Sequence, residues 1–83
     1  MIQTDDLFLG AFGLVRGGEI STVEVKNGSG RPMCIFHIVG NDMSGVEREY
    51  HKGVVSVDLR LLRSEVQRLK NTAFDAMRRE RGR

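Results

Sequence analysis

The sequence predicts a mixed α+β fold, a compact single domain in which a three-stranded sheet is packed with helices. Three observations predict it. Apolar residues recur at helical spacing near both ends, around Leu7–Val15 and Leu59–Met77. Between those stretches, two extended runs flank the turn signal Asn27-Gly28-Ser29-Gly30. With 83 residues, 40% apolar and 29% charged, the chain has side chains for one core and no length for a second domain.

The elements follow in order. Thr4 is placed to cap a first helix, with Asp5 and Asp6 in the first turn, where free amide groups favour negative charge. Leu7, Phe8, Ala11, Phe12 and Val15 step by three and four to make one buried face, and Gly17 and Gly18 stop the helix. Gly10 and Gly13 weaken its interior by up to about 1 kcal/mol each relative to alanine. Their small size is expected to admit a neighbouring element. A hairpin comes next. Its first strand, about 19–26, alternates Val23 and Val25 against Thr22 and Glu24. Its second, about 31–39, starts near Pro32 and is apolar on both sides: Met33, Ile35 and Val39 share a face with His37, opposite Cys34, Phe36 and Ile38. That pattern predicts a central strand or one covered on both faces.

NDMSGVEREYHKG reads as a short helix, capped by Asp42 or Ser44, with Val46 and Tyr50 one turn apart and Gly53 ending it. A short strand is expected at 54–57. Asp58 then caps a last helix that runs to about Arg79, its core stripe formed by Leu59, Leu62, Val66, Leu69, Ala73, Ala76 and Met77. The predicted order is α-β-β-α-β-α, with the globular domain over 1–80 and a flexible basic tail at 81–83.

Taken together, QTDDLFLGAF, RPMCIFHIVG, REYHKG and VVSVDLRLL resemble a small α/β domain family of unknown function found in bacterial and phage-associated genomes. The likeness spans residues 2–70. It implies a compact α/β unit and supplies no catalytic residue. That family often has proline after the aspartate matched by Asp58, where this chain has Leu59. The basic stretch after Lys70 is outside the likeness.

Chemistry-bearing residues are scarce. Cys34 and His37 have C-x-x-H spacing, but an offset of three puts them on opposite faces of a strand, so a buried thiol and a hydrogen-bonded histidine are expected rather than a metal pair. His51 reads as a helix-end histidine favoured by the dipole, and Asp58 as a cap. The GSG at 28–30 sits in a hairpin and the G-x-x-G of Gly10 and Gly13 inside a helix, so neither has the strand-to-helix setting of a phosphate loop. The expectation is therefore no enzyme, no metal, no cofactor and no identifiable small-molecule substrate. Cys34 is the sole cysteine, which excludes an internal disulfide and fits a reducing compartment. No apolar run approaches a membrane span, and MIQTDD lacks the basic and apolar regions of a signal peptide, so no membrane contact and a cytoplasmic location are expected.

The net charge of +2 hides an asymmetry: residues 1–59 carry −3 and residues 60–83 carry +5. On a helix turning about 100° per residue, with Arg60 set at zero, the core stripe occupies about 160° to 260°. Arg63, Gln67, Lys70, Phe74 and Arg78 fall at about 280° to 360°, next to Arg60. Arg68 and Arg79 project elsewhere, near Glu65 and Asp75. The candidate interaction surface is thus Arg60, Arg63, Gln67, Lys70, Phe74 and Arg78. Two functional readings stand beside a plainer one, in which lysine and arginine near the helix end complement its dipole and aid solubility and need no partner. In one the protein is a non-enzymatic interaction module, homo-oligomerising or adaptor-like, with Phe74 and the arginines as anchors; a homodimer suits a chain too short to bury much surface alone. In the other it is a weak nucleic-acid-binding accessory protein, with the cations on phosphates and Phe74 on a base. Phe74 packed at the edge of its own core would remove the best residue from both.

Overall fold

A computed structural model of the chain describes residues 1–28, 30–53 and 55–81. The elements are β1 (Ile2–Thr4), α1 (Leu7–Val15), β2 (Glu19–Gly28), β3 (Arg31–Val39), α2 (Met43–His51) and α3 (Leu59–Arg81). The three strands form one antiparallel sheet in the order β1-β3-β2. The three-stranded sheet and its helices are those the sequence predicts, but the third strand comes from the other end of the chain. Ile2, Gln3 and Thr4 pair with Ile38, His37 and Phe36, whereas residues 55–57 form no strand. Val54, the first residue of the expected strand, lies outside the described residues. The physical reason is burial. Ile2 is fully buried, while Val55 and Ser56 are exposed in a connection that Arg16 fastens by donating to the Ser56 carbonyl at 3.3 Å.

β3 is central, as its composition predicts, but only one of its faces is covered. Phe36 and Ile38 are buried beneath the helices, with Cys34 packed against the same core. Met33 and Val39 on the opposite face are exposed. The core is Ile2, Leu9, Ala11, Phe12, Leu14, Phe36, Ile38, Met43, Val46 and Leu69, and α1 supplies more of it than any other element. The close approach expected at the α1 glycines is present. A Cβ at Gly10 would come within 2.9 Å of the Leu69 Cδ1 on α3, and one at Gly13 within 3.1 Å of the Ile2 Cδ1.

The helix ends differ in detail from expectation. Asp6, not Thr4, caps α1: its Oδ1 accepts from the Phe8 and Leu9 amides at 2.9 and 3.3 Å. Thr4 is the last residue of β1 and its Oγ1 accepts from the Asp6 amide, holding the cap in place. Asp42 precedes α2 in a left-handed conformation, φ 53°, without a side-chain cap bond. Asp58 caps α3 as predicted, accepting from the Arg60 and Leu61 amides at 2.8 and 3.2 Å. Leu59 is not core: at the first turn of α3 it is 76% exposed. The expected tail begins inside α3, which includes Arg81; residues 82 and 83 lie outside the described residues.

Candidate interaction surface

α3 runs antiparallel to α1. Gly10 meets Leu69, and Arg16, one residue past α1, reaches Ser56, two residues before the α3 cap. α3 lies over β2 more than over β3, while α1 sits over β1 and β3. Leu69, at about 180° on the α3 wheel, therefore faces α1, and Val66 and Ala73, at about 220° to 240°, face the sheet. On this wheel the flank at about 280° to 320°, which holds Arg63, Lys70 and Phe74, falls on the side of α3 away from α1.

All six predicted surface residues, Arg60, Arg63, Gln67, Lys70, Phe74 and Arg78, are exposed. Phe74 is 60% exposed, so it is not a core-edge residue. With Asn71, Asp75, Met77 and Arg78 it lines an open hollow of about 740 Å³. The charges are less uniform than the wheel suggests. Arg78 donates to Asp75 at 2.8 Å, the acid expected near Arg79. Arg68 pairs with Glu65 at 3.3 Å, as predicted. The Gln67 amide donates to Asn71 Oδ1 at 3.2 Å. Among the described residues, Arg60, Arg63 and Lys70 make no ion pair. They are spread over about 15 Å of helix and do not converge on one point.

The opposite face of the sheet carries a small polar network that the sequence indicates only by the position of His37. The His37 Nε2 is 2.6 Å from Glu24 Oε1 on β2, and its Nδ1 is 3.1 Å from Gln3 Nε2 on β1. One imidazole thus ties three strands together, with Gln3 donating to Nδ1 and Nε2–H donating to the carboxylate. Gln3 could not be found from sequence because it sits on the strand that the sequence reading missed. Cys34 points the other way, its thiol directed at the Ala73 carbonyl at 3.9 Å, so the C-x-x-H pair is split across the sheet. Burial pushes the Cys34 thiol above its ordinary 9.0, which leaves it a weak nucleophile at neutral pH.

No family model, curated protein or solved structure matches this chain. Two further clusters have structural explanations. Tyr50 donates to Asp6 Oδ2 at 3.0 Å and ties α2 to the α1 cap. Arg16 stacks over Phe12 at 4.7 Å while paired to Glu49 at 3.1 Å. Among the described residues, no three acidic, histidine or cysteine side chains converge as a metal site, and no helix is long and apolar enough to cross a membrane.

Proposed function

We propose that this chain is a small, non-enzymatic interaction module of the cytoplasm that associates with itself. One observation carries the reading: Phe74, large and apolar, stands 60% exposed beside the hollow over the outer flank of α3. Aromatic residues next to arginines are the usual anchors of protein interfaces, because they bury much area while ordering few rotors. A second copy of the chain would also bury apolar surface that a domain of this size leaves exposed. Light scattering tests it. The expected mass at high concentration is twice the 9.3 kDa of one chain, and Phe74→Glu is expected to return it to one chain without changing the circular dichroism spectrum. A wild-type mass of one chain at every concentration contradicts the reading.

Weak nucleic-acid association is the second reading, and Arg60, Arg63 and Lys70, which make no ion pair among the described residues, favour it. A labelled oligonucleotide titrated at low and moderate salt tests it; absence of binding at low salt removes it.

A further inference from the structure

We infer that the partner is a second copy of the chain joined edge to edge along β2, with the two-fold axis at Val25. Two three-stranded sheets would then form one of six strands. The inference rests on the self-association proposed above and specifies its geometry.

Four observations converge on Val25. β2 is the outer strand of the sheet, and no strand pairs with its far side among the described residues. A row of unpaired amides and carbonyls is a template for another strand. The register of β2 shifts between Ile20 and Thr22, and from Thr22 to Gly28 it is regular, residue by residue, against β3. That regular stretch has seven residues, and Val25 is its middle. An antiparallel pair about Val25 uses the whole stretch and stops at the irregularity on one side and the turn on the other.

Charge selects the same centre. A two-fold axis at Val25 sets Glu24 of each copy opposite Lys26 of the other. Both side chains are on the uncovered face of the sheet, because Glu24 pairs with Ile35 and Lys26 with Met33. The two charge pairs are therefore complementary by symmetry, and opposite charges directly across a strand pair are stabilising. Glu24 Oε1 is held by His37 at 2.6 Å, leaving Oε2 for the second copy. Moving the axis to Val23 would place Glu24 opposite Thr22 and Lys26 opposite Ile20, with no such pairing.

The helix layer agrees. Val25 pairs with Cys34, and the Cys34 thiol is at the Ala73 carbonyl, so Phe74 is level with Val25 along the sheet. The Phe74 flank is on the side of α3 away from α1, and β2 is the strand that α3 lies over most. A two-fold axis through Val25, normal to the sheet, would set the α3 helices of both copies side by side on the same face. Their Phe74 rings would meet near the axis, covering the apolar surface that each leaves exposed. Strand edge, charge pattern and exposed aromatic thus belong to one self-complementary surface, as an isologous contact requires.

Charge reversal and its compensation test this. Lys26→Glu converts both attractive pairs into repulsive ones and is expected to raise the dimer dissociation constant about tenfold. Adding Glu24→Lys to it restores complementarity in this register alone, and the double variant is expected to return within about threefold of wild type. Each variant is weighed by light scattering across a concentration series, with circular dichroism as a check of folding. A dimer that Lys26→Glu leaves intact while Phe74→Glu dissolves it would overturn the β2 register and leave self-association standing. A wild-type chain that stays monomeric would overturn both. A double variant no better than Lys26→Glu, though folded, would also overturn the register.

Discussion

The two edges of the sheet are built differently. β1 has three residues, and its side chains are committed: Ile2 is buried in the core and Gln3 binds His37. β2 has ten residues, of which seven run regularly along an edge that no other strand covers among the described residues. Short edge strands are one way in which proteins avoid pairing with strangers. β1 follows that rule, and β2 has only a register irregularity at its start and one lysine near its end. The difference teaches that the β1 edge serves the fold of one chain, while the β2 edge is left with its hydrogen-bonding capacity and a charge pattern that fits itself.

The comparison can be broken most sharply at β1. Ile2→Ala removes a fully buried side chain that lies against Gly13, and is expected to cost about 2–5 kcal/mol in urea unfolding. A cost near zero would mean that β1 contributes little to the core and that the contrast between edges is false. A smaller effect is expected at the base of α3, the helix that carries Phe74. Asp58→Ala deletes a cap that accepts two amide bonds and is expected to cost about 1 kcal/mol, measured as the urea midpoint.

The smallest effect concerns pH. The Tyr50 hydroxyl is held above its ordinary 10.0, first by burial and then by its bond to the Asp6 carboxylate, and the Cys34 thiol above 9.0 by burial. Both groups keep their protons longer when folded than when unfolded. Their contribution is therefore complete below pH 9, and stability declines as the pH rises through 9 and 10. Urea unfolding at pH 7 and pH 10.5 is expected to show that decline, and Tyr50→Phe to reduce it. An unchanged decline in Tyr50→Phe would assign it elsewhere.

Much of this architecture is legible in the sequence, because it rests on local rules. The spacing of Leu62, Val66, Leu69 and Ala73 announces α3, the Asn27–Gly30 turn announces the hairpin, and Asp58 announces its cap. The third strand is not legible for a non-local reason. Ile2-Gln3-Thr4 is too short to show a period, and becomes a strand only because β3 offers it an edge. Val54–Val57 has the better strand composition, yet Arg16 holds Ser56 away from any ladder. Thr4 and Asp6 are both acceptable caps in sequence, and the end of β1 decides between them. On α3, periodicity places Phe74 and its neighbours on one exposed flank. It could not reveal that the helix carrying this flank lies over the edge strand β2, because that depends on the order of strands and on which helix packs where.

Hydrogen exchange along β2 tests the central claim most directly. In a chain paired edge to edge about Val25, the outward amides between Thr22 and Gly28 are hydrogen-bonded to the second copy. Their exchange is expected to slow as protein concentration rises, while the amides of β1 keep their rates. Exchange between Thr22 and Gly28 that is as fast in concentrated as in dilute solution would contradict the account.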